Sequence, residues 1–412
     1  MTLWGQRDDL GEKPLERVGL VLAGGGARGA YEAGVLSTLL PALEARGQRP
    51  TVILGTSVGA LNAAFAAANA HLPADEALRA GLERWESLEM DRVVRPILLQ
   101  QAPKTALLYA GEVLGVPGAR LRGLLDPSPL RETLAEWIDW KALHRNVRDG
   151  TVEAVGVVAT AITTERSVVF VEGRAAKSLP RSFSVDYVPT RLEIDHARAS
   201  AAIPALFPGV RIEKPARFRG WYYDGGTRLN TPIKPVLDFG VDRVIVVAAT
   251  SIAQAKGAAE GPEPDFADGA LELIQATLVD PLIADVRMLG KINLLVEDGA
   301  GKRAAAWRRS RGKAPYRRVP YIFVGPRERD ALGRLADRVY EESFSGLRQL
   351  RSPDVSLLSR LVGGEGRPHG ELLSYLFFEG EFAREAIALG QADAQAWLDG
   401  HGDDPWQVGP LE

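Results

Sequence analysis

Two short apolar runs, each stopped by glycine, frame what this chain can fold into. They are "RVGLVLA" at 17 to 23, before Gly24-Gly25-Gly26, and "TVILG" at 51 to 55, before Thr56-Ser57. Branched, uninterrupted apolar stretches of this length are typical of strands buried on both faces, as in parallel sheets. Helical spacing follows each run. Between Gly29 and about Arg46, Ala30, Ala33, Val35, Leu36, Leu39, Leu40 and Leu43 carry an apolar face, and "SVGALNAAFAAANA" at 57 to 70 is made of small residues suited to close packing. The order strand, loop, helix, strand, turn, helix predicts an α/β fold with a mainly parallel central sheet. Further strands are expected at 151–160, 167–172, 242–250 and 320–325.

The first loop, "AGGGARGAY", is built to hold an anion on backbone N–H groups at a helix start. A Walker-type phosphate loop would need Lys and then Ser or Thr after its glycines, and here Gly29-Ala30-Tyr31 follows Arg28. A dinucleotide fingerprint can be laid on Gly24, Gly26 and Gly29. Its ribose-binding acid should then end the second strand, yet Gly55-Thr56-Ser57 stands there and Glu44 falls inside the helix before it. That leaves the charge that develops on a reacting carbonyl.

"GTSVG" at 55 to 59 supplies the matching nucleophile. Ser57 sits between an apolar strand and a small-residue helix, the setting in which a tight turn pushes a hydroxyl out at the carboxyl end of a sheet. Gly55, Thr56, Val58 and Gly59 form the elbow around it, and the helix dipole behind it favours negative charge. A serine needs a base. Of His71, His144, His196, His369 and His401, only the last two follow a Ser, acid, His order, and both lie in what read as surface turns, "RPHGE" and "DGHGD". The better candidate is Asp224 in "GWYYDGGTRLNTPI": the aromatic run before it would shield the carboxylate, and Gly225 and Gly226 after it permit close approach.

Composition closes off other classes. With 50 basic against 53 acidic residues, the chain lacks the charge surplus of a general nucleic-acid binder, so no nucleic acid is expected as partner. It has no cysteine, hence no disulfide, thiolate metal site or cysteine nucleophile, and its histidines are not clustered; no metal or cofactor is expected. The amino-terminal residues place acids where a signal peptide carries bases, and no stretch approaches the roughly 20 apolar residues of a membrane span. A cytoplasmic location, with at most peripheral membrane contact, is the expectation.

Three segments stand apart. Regular alternation lapses between about 91 and 127, read as a helical insertion or a lid. "KRAAAWRRSRGKAPYRR", 302 to 318, carries eight basic residues and no acid; within the interval 300–318 it reads as a basic loop, either a solvated face or an attractor of anionic head groups. From 327 to 412 helical spacing predicts a C-terminal extension.

The blocks GGGARG, GTSVG and DGG, in this order, resemble the patatin-like phospholipases, and "ARASAAIPALFPGV" at 197 to 210 looks like the family segment between elbow and DGG turn. The resemblance covers roughly residues 17 to 250, within a domain taken as 17–326 after a lead-in of 1–16. It implies a three-layer α/β/α fold and a Ser-Asp dyad, with Ser57 as nucleophile and Asp224 as base. The loop residues Gly24, Gly25, Gly26, Ala27, Arg28 and Gly29 would form the oxyanion hole, Arg28 assisting by charge or shape. The implied activity is hydrolysis of a lipid or other acyl ester through an acyl-enzyme. Acyl transfer or thioester cleavage by a related fold is the alternative, and a non-catalytic lipid-binding protein a further one.

Overall fold

The computed structural model describes residues 16–95, 114, 116, 122–179, 182–253, 263–297, 301–312, 314–344, 355, 359, 363 and 367–411. Nine strands form one sheet: β1 (Val18–Leu22), β2 (Pro50–Thr56), β3 (Ala154–Ala161), β4 (Arg166–Gly173), β5 (Val185–Pro189), β6 (Val210–Ile212), β7 (Gly220–Asp224), β8 (Arg243–Val247) and β9 (Tyr321–Val324). Their order is β5-β4-β3-β2-β1-β8-β9, with β7 paired to β3 and β6 to β7. β9, β8, β1, β2 and β3 run parallel; β4 and β7 both run antiparallel to β3. The four later runs expected as strands are β3, β4, β8 and β9. The short β5, β6 and β7 were not anticipated.

In chain order the helices are α1 (Gly29–Glu44), α2 (Val58–Asn69), α3 (Ala74–Glu86), α4 (Ser128–Trp137), α5 (Trp140–Asp149), α6 (Ile194–Ser200), α7 (Gly226–Leu229), α8 (Ile233–Asp238), α9 (Phe266–Ile274), α10 (Asp280–Glu297), α11 (Gly301–Arg309), α12 (Ala331–Ser343), α13 (Arg367–Leu376) and α14 (Gly380–His401). The strands alternate between two cores, as their period requires. In β1, Leu20 and Leu22 face α1, α2 and the C-terminal helices, whereas Val21 faces α8 and α10. The result is three layers, α/β/α.

The C-terminal helices share the first core with the amino-terminal half. Phe377, Phe382, Ala386 and Ile387 are buried with Leu36 and Leu39 of α1, and the Tyr31 hydroxyl donates to Asp393 at 2.9 Å. A charged joint reinforces the contact. The Arg28 guanidinium, buried just before α1, pairs with Glu371 on α13 at 2.7 Å, donates to the Glu371 and Ala249 carbonyls and to the Ser374 hydroxyl, and lies over the Tyr375 ring.

Two expectations need correction. The basic run is not a plain loop: residues 301–309 are helical, since Ala304, Ala305, Ala306 and the long basic side chains are strong helix formers. Likewise His369 lies on helix α13 rather than in a surface turn. Of the segment read as insertion or lid, residues 96–113, 115 and 117–121 lie outside the described residues. No helix among the described residues is long and apolar enough to cross a membrane.

Removing Glu371 while Arg28 stays leaves an uncompensated buried cation. Glu371→Ala is expected to lower unfolding stability by about 3 to 5 kcal/mol, whereas replacing the pair together, Arg28→Met with Glu371→Leu, should recover most of it. Denaturant unfolding of the two variants checks this.

Candidate active site

The register of the sheet brings the two reactive side chains together. β2 ends with Thr56 opposite Val158 on β3, and the next residue of β3, Ala159, pairs with Asp224 at the end of antiparallel β7. Ser57 and Asp224, 167 residues apart, thus meet over the carboxyl end of β3, with the Ser57 hydroxyl donating to Asp224 Oδ2 at 2.6 Å. Both are buried, at 6% and 5% exposure.

Ser57 takes a backbone conformation that side chains seldom adopt, φ 55° and ψ −128°. The strain is held from several sides. Its N–H donates to the Ser200 hydroxyl at 2.8 Å, which in turn donates to the Val158 carbonyl at 2.6 Å, and the Thr56 hydroxyl donates to the Leu229 carbonyl at 3.0 Å. Close packing completes the elbow. A Cβ on Gly59 would run into the carbonyls of Leu22 and Ala23, so only glycine lets the start of α2 sit against the end of β1.

Burial is the dominant influence on the Asp224 carboxyl and pushes it up to about 7, although the Ser57 hydroxyl and the Gly226 N–H, donating at 2.7 Å to Oδ1, pull the other way. A carboxylate so placed is far more basic than one in water, yet half of it is ionised near neutral pH. That suits a proton acceptor.

None of the five histidines is bonded to either residue. His71 meets Asn146, His144 pairs with Glu172, His196 is held by the Glu193 N–H and faces the Lys214 carbonyl, and His401 lies against the Trp397 carbonyl. His369 has both ring nitrogens engaged, by Asp337 at 2.7 Å and Ser359 at 2.8 Å.

The glycine loop sorts its amides. Gly24 donates to the Asn230 side-chain oxygen at 3.0 Å, Arg28 to the Gly25 carbonyl at 3.2 Å, and Gly29 to the carbonyls of Gly26 and Ala27. Among the described residues the N–H groups of Gly25, Gly26 and Ala27 have no such acceptor. Three of the six loop residues expected to serve an oxyanion are therefore bonded within the fold. The Arg28 side chain points into its joint with α13, which leaves shape rather than charge as its part in the loop. Gly26 has φ 57°, and a Cβ there would strike the Tyr375 carbonyl, so α13 packs directly on the loop. Asn230 and Ser200 escaped the sequence reading: each was inside a quoted block, but only the fold shows that they hold Gly24 and Ser57.

Beside Ser57 opens a pocket walled by Leu61, Leu88, Val93, Leu130, Ile203 and Phe207 among others. Its lining is apolar apart from Ser57 and Thr133 and the indoles of two tryptophans. Among the described residues no three His, Asp or Glu gather as a metal site.

A family model for patatin-like phospholipases matches residues 20–237, just over half of the chain. Among solved structures the chain is similar to VipD from Legionella pneumophila, at 14% identity over 94% of this chain and 67% of that one, with a TM-score of 0.34. A search of curated proteins finds no match. By the family match, spanning the glycine loop, the serine elbow and the DGG turn, the chain belongs to the patatin-like phospholipase family.

Proposed function

We propose that the protein cleaves fatty acyl esters of lipids, as a phospholipase A or lysophospholipase does, through a Ser57-Asp224 dyad. The observation that carries this is the 2.6 Å hydrogen bond from the strained, buried serine to a carboxylate that burial has made basic, at the mouth of an apolar pocket. Asp224 Oδ2 takes the hydroxyl proton as Ser57 Oγ attacks the ester carbonyl carbon. The carbonyl oxygen becomes an oxyanion facing the N–H groups of Gly25, Gly26 and Ala27, each such donor being worth roughly 3 kcal/mol in a preorganised site. Collapse breaks the ester C–O bond, and the alcohol leaves with the proton from Asp224. Water, giving its proton to Asp224, attacks the acyl-enzyme; the fatty acid departs and the proton returns to Ser57.

Contact with an anionic membrane surface has its own support. α11 and the residues after it carry Lys302, Arg303, Arg308, Arg309 and Arg311 with no ion pair among the described residues, beside Trp307 at 54% and Tyr316 at 40% exposure. Arg311 lies over the Trp307 ring and Arg308 over that of Tyr316. Exposed aromatic rings among unpaired cations fit a head-group layer, each cation near it contributing about 1 kcal/mol.

Ser57→Ala should abolish fluorophosphonate labelling and ester turnover, and Asp224→Asn should reduce turnover by about 10²- to 10⁴-fold; an Asp224→Asn protein as active as the parent would sink the dyad. With the base titrating near 7, kcat/KM should rise tenfold per pH unit below that value and level off above it.

The same shift has a stability consequence of opposite use. The folded carboxyl holds its proton to about 7 whereas the unfolded one loses it near 3.8, so folding is penalised increasingly between those values and fully above 7, by on the order of 4 kcal/mol. Asp224→Asn should thus raise Tm at pH 8, with the gain fading as pH falls toward 4.

Vesicles rich in anionic lipid should bind the protein at low salt and release it at high salt. Changing Arg308, Arg309 and Arg311 to alanine should weaken binding at least tenfold; salt-insensitive binding would count against head-group contact.

A further inference from the structure

The pocket beside Ser57 has a neighbour. A second, mainly apolar pocket shares part of its wall and lies among α1, α2, α3 and α4, bordered by Leu36, Phe65, Leu78 and Ile138, with Asn62 and Arg84 as its polar members. Four side chains wall both spaces: Leu61, Leu134, Trp85 and Trp137. Two of the four are indoles that meet edge to face, with centroids 5.6 Å apart and planes at 71°.

The two tryptophans are held very differently. Trp85, 5% exposed, donates its indole N–H to Asn62 at 3.2 Å, and Asn62 is itself fixed by the Gly29 carbonyl and Glu32. Trp137 is the last residue of α4, partly exposed, and its side chain makes no hydrogen bond among the described residues. One indole is anchored to the glycine loop's own helix, and the other is held by packing alone.

We propose that the Trp85-Trp137 pair is a chain-length ruler: an acyl chain whose ester carbonyl lies at Ser57 runs through the first cavity and stops at the indoles. This rests on the hydrolase reading and deepens it by naming what selects the acyl group. Every methylene that finds room in an apolar cavity improves transition-state binding roughly fourfold. The gain therefore continues until the chain meets the pair and ceases there. Removing the Trp137 ring joins the two cavities and extends the gain to longer chains.

The test is a series of p-nitrophenyl esters from butyrate to palmitate, with kcat/KM for each normalised to the same protein's butyrate value, so that a general loss of activity does not move the readout. The parent should show a break at an intermediate length. In Trp137→Ala the break should move outward by several carbons and the longest esters should gain at least tenfold relative to the parent, whereas Trp137→Phe, which keeps a ring at that position, should keep the parental break. Labelling of Ser57 by a fluorophosphonate reports that each variant is folded at the site. An unchanged break in a Trp137→Ala protein that still labels would overturn the ruler and leave the hydrolase reading standing. A folded parent that neither labels nor turns over any ester would overturn the hydrolase reading, and the ruler with it.

Discussion

The burial of one guanidinium organises much of this molecule. Arg28 cannot be left unpaired in an apolar interior, because the desolvation of a lone cation costs far more than any packing around it returns. Its bonds to Glu371, Ser374 and Ala249 therefore draw three distant parts of the chain to one point: the loop after β1, the end of β8 and the C-terminal helix α13. The loop is rigid because the helix is there. With Tyr375 packed against Gly26, the amides of Gly25, Gly26 and Ala27 are set in place by the fold, and on the proposed reading that is the condition under which fixed dipoles stabilise developing charge without reorganising.

A similar economy governs the serine elbow. The strained backbone of Ser57 is tolerated because it follows the packed strand β2, because its N–H donates to the Ser200 hydroxyl, and because the neighbouring Thr56 hydroxyl donates to the Leu229 carbonyl. Asp224 is the complementary case. Burying its carboxyl destabilises the fold at neutral pH and above, and the same burial raises its basicity, which the proposed dyad would use. Stability is given up at one residue, and the large two-sided core is what makes that tolerable.

Local pattern carried the reading of the sequence a long way. Apolar runs ended by glycine mark β1 and β2, small-residue spacing marks α2, and the order of three glycine-containing blocks points to Ser57 and Asp224. What sequence did not reveal depends on contacts between residues far apart in the chain. Nothing near Glu371 marks it as the partner of Arg28, 343 residues away; nothing in "GWYYD" says that it is a strand antiparallel to β3; and Trp85 and Trp137 belong to separate helices whose meeting is a property of the core. The basic run differs for another reason: its charge is conspicuous, and the three successive alanines that favour its helix are not.

The parallel sheet gives the molecule two unlike poles. Ser57 and its pocket stand at the carboxyl ends of the strands, whereas the basic helix α11 leaves α10 and returns to the amino end of β9, where Arg318 meets Glu297 and Asn293 holds the Val319 carbonyl. On the proposed reading, a protein resting on a surface by α11 would be held at one end of its strands and would meet its substrate at the other.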